Sequence, residues 1–301
     1  MITRISRNQL DIQKYDACIV NSIQSNIFGF SWYLDIVVDD WDAFVLNDYQ
    51  AVMPLPWRKK FFIKYVYPPF WVIHLGIYSQ EVEDESSFLK TLFDECSFVE
   101  HRMNPQNSFR SFPSFFRERK IQVISLEKSY DTIVKGYNRN RKRELKKAIS
   151  ANLRECWNDK PIQLIKLLEE NVGRRISNIS AKDYENLQKL MHLSLEKKTG
   201  ELLTIYDKDG NLVSGAFFLK HRKRVTELVC SSDFSNRKNG ANTFMNDRAI
   251  FRFQRTFELF DFGGSSVPNI AKYYHSFGAI DEKYMQLYYN SLPSLLKLFK
   301  R

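Results

Sequence analysis

The stretch that decides the fold is Ser231-Ser232-Asp233-Phe234-Ser235-Asn236-Arg237-Lys238-Asn239-Gly240-Ala241-Asn242-Thr243. An apolar, β-branched run, Val225 to Ser231, reads as a strand entering it. A helix of about 243–257 leaves it. A glycine-containing loop opening a helix frees backbone N–H groups that, with the helix dipole, suit a pyrophosphate. Arg237 and Lys238 add positive charge at its mouth. The same stretch also reads as an ordinary polar loop with Asn242 as helix cap.

Working outward, the preceding strands are 202–206 and 212–219, joined through Asp207-Lys208-Asp209-Gly210. The basic turn His221-Arg222-Lys223-Arg224 then leads into Val225–Ser231. Beyond the helix come a strand of about 258–262, a helix of about 268–276, a strand of about 283–290 and a short C-terminal helix. Upstream, 121–126 alternates as a strand and 129–152 reads as helical. Pro161 opens a helix to about 172, and Ser180 caps another to about 198. The order from 121 is therefore β, helices, β-β-β, α, β, α, β.

The first part runs α (8–24), α (31–38), a hairpin around Asn47-Asp48, an extended piece (63–78), α (85–96) and β (97–101). A Pro/Ser/Asn-rich cluster at 104–114 marks the boundary. These readings predict an α/β (α+β) protein of two related domains, 1–120 and 121–301. Each is a mixed, mostly antiparallel sheet flanked by helices. A chain of 301 residues fits two domains.

Composition narrows function. Hydrophobic residues make up 44% of the chain, which excludes a disordered protein. No apolar run is long enough for a transmembrane helix, and no secretory signal opens the chain. Cys18, Cys96, Cys156 and Cys230 are scattered and make no CxxC pair, and the five histidines show no metal-ligand spacing. Reduced thiols, a cytoplasmic protein and no metal are expected. The net charge of +10 is uneven: −6 over 1–100, +11 over 101–200 and +5 beyond. Lys135 to Lys147 holds seven basic residues and one acid, a run suited to phosphates of RNA, a nucleotide or a membrane, or to a solvated helix face.

The strand order and the loop resemble the acyl-CoA N-acyltransferase fold of the GNAT superfamily. Its signature is Arg or Gln, two residues, Gly, one residue, then Gly or Ala. Arg237 and Gly240 match, and Asn242 departs. Tyr274 stands four residues before Gly278, where family members carry a Tyr that protonates the departing CoA thiolate. The family's accompanying Asn and Ala fall on Val267 and Ile270. More specifically, Asn138 to Arg143, Asp261-Phe262-Gly263-Gly264-Ser265 and Tyr274-His275-Ser276-Phe277-Gly278 resemble the Fem-like branch, with tandem GNAT-like domains. The clear resemblance covers about 126–301. The long coiled-coil arm of aminoacyl-tRNA-dependent members is missing from the heptad pattern.

The resemblance implies an N-acyltransferase moving an acyl or aminoacyl group from acyl-CoA (acetyl-CoA) or aminoacyl-tRNA to an amine. It implies donor binding through Arg237, Lys238, Asn239, Gly240, Ala241 and Asn242, and Tyr274 as acid. Glu227, central on its strand, is the acid best placed as base, with His275 as another candidate. Asp261, Gly263, Gly264 and Ser265 are expected to hold substrate, since two glycines admit close backbone approach. The first domain, with no phosphate loop, is expected to be a scaffold or to bind the acceptor. The alternative is a catalytically degenerate fold that binds RNA or tRNA through Lys135–Lys147.

Overall fold

A computed structural model describes residues 1–60, 62–81, 85–176, 179–235, 239–264 and 267–293. Among them it contains thirteen strands and nine α-helices. The chain divides into two compact units, Met1–Arg119 with Lys283–Arg301, and Lys120–Glu282.

The first unit comprises β1 (Ile2–Ser6), α1 (Ile12–Asn21), α2 (Ser31–Val37), β2 (Asp40–Leu46), β3 (Ala51–Lys60), β4 (Ile63–Val66), β5 (Tyr78–Ser79), α3 (Ser86–Glu95) and β6 (Phe98–Arg102). The antiparallel run β1-β2-β3-β4 passes to a single parallel pair, Val66 with Val99 of β6. The later residues of β13 (Ile280–Asn290) pair antiparallel with β6, from Gln286 opposite Arg102 to Asn290 opposite Phe98. Leu287 is consequently fully buried with Val66, Phe88, Leu92 and Val99.

The second unit begins within β7 (Phe116–Ser125). It continues through α4 (Tyr130–Lys135), α5 (Arg139–Ser150), β8 (Arg154–Cys156), α6 (Pro161–Glu170), α7 (Ala181–Glu196), β9 (Gly200–Tyr206), β10 (Leu212–His221), β11 (Arg224–Ser232), α8 (Ala241–Phe253), β12 (Leu259–Asp261) and α9 (Pro268–His275). Its strands run β8-β9-β10-β11 antiparallel, then β11 parallel to β12, then β12 antiparallel to β7. Both units therefore interrupt an antiparallel run with one parallel step, and that step is bridged by a helix, α3 or α8. The fold is the expected one: tandem GNAT-like mixed sheets, mostly antiparallel, flanked by helices.

Differences from the sequence reading have local causes. The helical region 129–152 is two helices, because the Asn138 side chain accepts from Arg141 N and starts a new helix one turn after α4. Strands β1 and β8 have too little apolar alternation to be read in advance. The piece 63–78 is a strand only at its two ends. The expectation that 121–301 forms one unit meets a division in which 283–301 group with the first, through the pairing of β13 with β6. The short C-terminal helix expected after 290 lies outside the described residues.

Candidate active site

The site is built on β11. Its parallel pairing with β12 covers three residues and ends at Thr226 opposite Asp261. Beyond that pair β11 continues to Ser232 while β12 stops, so the two strands part. Glu227 is the first residue past the fork. On its other side β11 pairs with β10, and the register slips: Phe217 faces Val229, but Phe218 faces Glu227. Leu228 is thus an extra, bulged residue. Bulges re-aim side chains and recur beside functional sites. Opposed residues share a face, so Glu227 lies with Phe218 and Cys230 with Ala216. Phe218 and Ala216 pack in the core with Met245, Ala249 and Ile250 of α8. The bulge therefore brings Glu227 and Cys230, three residues apart, to one face of the sheet.

Glu227 is 2% exposed, and its Oε2 has no hydrogen-bond partner. Burial pushes its carboxyl up to about 7, opposed by the Cys230 thiol, reinforced by the Asp261 charge and opposed by the Tyr274 hydroxyl. Tyr274 comes from α9, which starts on Pro268 in the position that tolerates proline. Its ring stacks on Phe262 with centroids 4.5 Å apart. Burial and then the Glu227 charge push the Tyr274 phenol well up, so it holds its proton at neutral pH. The Cys230 thiol is raised by burial and by Glu227. A carboxyl that titrates near neutrality and a protonated phenol are the pair an acyl transfer to an amine needs.

The start of α8 lies against α5. Gly240, at φ 80°, precedes the helix, and a Cβ there would sit 2.5 Å from Glu144 O of α5 and 3.3 Å from Ala148 Cβ. Its glycine is required by left-handed backbone and by this helix crossing. Asn239 Oδ1 accepts from Ala241 N at 2.9 Å, while Asn242 and Thr243 lie in the first turn, whose N–H groups have no intrahelical acceptor. Arg141 reaches this turn from α5, its Nη1 2.5 Å from Thr243 Oγ1. Arg237 and Lys238, read as donor ligands, lie outside the described residues, as does Ser265.

The remaining anticipated residues have other surroundings. Asp261 is fully buried, and its Oδ2 accepts from Arg224 Nε at 3.0 Å and Nη2 at 2.7 Å, its Oδ1 from Gly263 N at 2.9 Å. Burial pushes its carboxyl up, against the pull of Arg224. Its acceptors are engaged within the protein rather than open to a substrate amine. Gly264, at φ 72°, lies where a Cβ would meet Ile121 Cγ2 at 2.0 Å, and Gly263 also has positive φ. His275 points away from this cluster to Asp281, with Nε2 to Oδ1 at 2.7 Å, and is exposed. The structure thus gathers Glu227, Tyr274 and, unforeseen, Cys230, Arg141 and Tyr273. The signal for Arg141 was present: Arg141 and Ala148, two helical turns apart in α5, are both buried. The other basic residues of this region, Lys135, Arg139, Lys142, Arg143, Lys146 and Lys147, are exposed and form no ion pair with a described carboxylate.

The fork between two parallel strands, the bulge and the helix start beside it define a GNAT-like acyltransferase fold, here in tandem and similar to Fem-type proteins. Solved structures bear this out. FemX is 12% identical and superposes with a TM-score of 0.67 over 99% of this chain and 100% of its own. The C-terminal domain of a putative lysylphosphatidylglycerol synthetase from Agrobacterium fabrum is 8% identical, with a TM-score of 0.57 over 97% and 95%. A tandem GNAT protein from the clavulanic acid biosynthesis pathway is 9% identical, with a TM-score of 0.56 over 98% and 100%. At such identities the likeness establishes the fold alone. No protein family's sequence pattern matches the chain, and no curated protein matches it in sequence. Among the described residues no helix is long and apolar enough to cross a membrane, and no cluster of His, Cys, Asp or Glu is arranged to hold a metal ion.

Proposed function

We propose that this protein is a cytoplasmic N-acyltransferase that transfers an acyl or aminoacyl group from acyl-CoA or aminoacyl-tRNA to an amine. The observation that carries this reading is Glu227: a buried carboxyl with an unpartnered oxygen, at the apex of the strand fork and beside a protonated Tyr274. As carboxylate, Glu227 takes the proton from the acceptor ammonium. The freed amine attacks the donor carbonyl, and the tetrahedral intermediate collapses by breaking the bond to the thiolate or alkoxide. Tyr274 gives that leaving group its proton, and the resulting phenolate takes back the surplus proton of the new amide nitrogen. The donor phosphates lie at 237–242, against the α8 start. Gly263, Gly264 and Ser265 border the acceptor, with Asp261 holding this turn in shape. Residues 1–120 supply a scaffold or an acceptor-binding surface.

The direct test is calorimetry with acetyl-CoA, free CoA and a charged tRNA, followed by acyl transfer to a panel of amines. Donor binding with turnover that is lost in Glu227→Gln supports the reading. Absence of binding to all three, with no turnover, overturns it.

The second reading, a degenerate acyltransferase fold that holds RNA, is favoured by the six exposed cations between Lys135 and Lys147 that pair with no described carboxylate. Tight, strongly salt-dependent RNA binding without any turnover supports it over the first.

A further inference from the structure

Two half-buried arginines of this chain are held by pairs of carboxylates. Arg4 is bonded to Asp42 and Glu95, and Arg224 to Asp261 and Glu282. Arg141 is more buried, at 8% exposure, and no described carboxylate pairs with it. Its Nη1 donates to Thr243 Oγ1, its Nε has no partner, and its guanidinium lies over the rings of Tyr273 at 4.7 Å and Phe277 at 5.7 Å. Tyr273 Oη, beside it, is also buried without a partner. Leaving a guanidinium without a counter-charge in the interior is costly. Thr243 is the third residue of a 13-residue helix whose first-turn N–H groups face no intrahelical acceptor. A cation with an unpartnered Nε, a phenol and a helix start therefore converge on one place, around Thr243.

We infer that Arg141 is a phosphate-binding residue, completing with the Asn242 and Thr243 N–H groups a site for a phosphate ester. The inference rests on the donor site proposed above and names its anion-holding residue inside the described fold rather than at residues 236–238. A tetrahedral phosphate has the acceptor oxygens that Arg141 Nε, Tyr273 Oη and two backbone N–H groups need. Two donors carry that chemistry: the pyrophosphate of a coenzyme A thioester, and the terminal nucleotides of an RNA ester.

The test measures binding by calorimetry and thermal shift, with inorganic pyrophosphate, coenzyme A, phosphate-free S-acetylpantetheine and a CCA-ended RNA hairpin. The proteins are wild type, Arg141→Met, Arg141→Lys and, as a surface-charge control, Lys208→Met. Arg141→Met is expected to weaken pyrophosphate and one of the two phosphate donors by about 10- to 100-fold. Arg141→Lys falls between, Lys208→Met matches wild type, and S-acetylpantetheine is indifferent to all three. Unliganded Arg141→Met unfolds at or above the wild-type temperature, because an unpaired buried charge has gone. Should it fail to fold, Arg141→Lys carries the comparison. The inference is overturned if wild type binds no phosphate probe, or if wild type and the Arg141 variants bind pyrophosphate equally. Phosphate binding that depends on Arg141 in a protein without acyl transfer would sink the proposed function and leave this inference standing. Transfer with donor affinity unchanged in Arg141→Met would do the reverse.

Discussion

Glu227 and Cys230 lie on the same face of one strand although they are three residues apart. An unbroken strand would send them to opposite faces, since its side chains alternate. The bulge at Leu228 absorbs the extra residue, and both side chains meet Tyr274 under α8. The register slip thus places an acid, a thiol and a phenol together just past the fork of β11 and β12.

The Glu227 carboxyl leads to a signed pH dependence. Folded, it keeps its proton to about pH 7; unfolded, it loses it near the ordinary 4.5. Between those values the folded state binds more protons, so stability falls as pH rises through the window and stays reduced above it. Glu227→Gln should therefore stabilise the protein at pH 8 by up to about 3 kcal/mol, and by much less at pH 4. Acyl transfer should fall about 100- to 10,000-fold. Thermal unfolding at the two pH values, together with turnover, checks both. Stabilisation equal at pH 4 and pH 8 would contradict the assignment.

Tyr274→Phe separates the two donor classes. A phenol whose proton is held tightly suits an alkoxide leaving group better than a thiolate, because proton transfer needs a more basic acceptor. The substitution should cost about 100-fold or more in kcat with an RNA ester donor, and less with a thioester. An equal loss with both would show that leaving-group protonation is not what Tyr274 contributes.

Gly240 is tied to the fold as much as to any ligand. Gly240→Ala adds a Cβ 2.5 Å from the main-chain oxygen of Glu144 and forces an L-residue to φ 80°. A loss of about 2–5 kcal/mol is expected, combining left-handed strain with overpacking. Denaturant unfolding measures it. The same loss without ligand as with it would confirm that the residue serves the α5–α8 crossing.

The exposed cations of α4 and α5 give a quantitative RNA test. If RNA is bound there, log Kd should vary with log salt with a slope of about 0.7 for each phosphate neutralised on a single strand. Lys142→Glu with Lys146→Glu should lower that slope by at least one unit while leaving the melting temperature within a few degrees. A slope that does not change places the RNA elsewhere.

Much of this was legible in the chain. The order of elements from 121 follows from apolar runs broken by Asp207-Lys208-Asp209-Gly210 and His221 to Arg224, and both turns join the strands expected. What stayed hidden depends on distant partners. Ile2–Ser6 and Arg154–Cys156 are short strands rich in polar residues, stabilised by β2 and β9 rather than by their own pattern. Arg141 was lost within a charged run whose other members do face solvent; only its helical register with Ala148 sets it apart. Asp261 and Gly264 were read as substrate contacts because two glycines admit close backbone approach; that Arg224 bonds Asp261 and that Ile121 leaves no room for a Cβ at Gly264 depends on residues remote in sequence. Glu227 could be found, but the bulge that aims it could not.

The pairing of Leu287 and its neighbours with β6 also bears on how the protein is made. Chains leave the ribosome from the N-terminus, and leading domains usually fold first. Here the amino-terminal unit waits for residues 286–290, the last paired strand of the described chain, before its sheet is complete. The unit translated second has all its strands available sooner. During synthesis the bare edge of β6 is left open from the emergence of residue 102 until residues 286–290 follow, a window in which chaperones and neighbouring nascent chains compete for it.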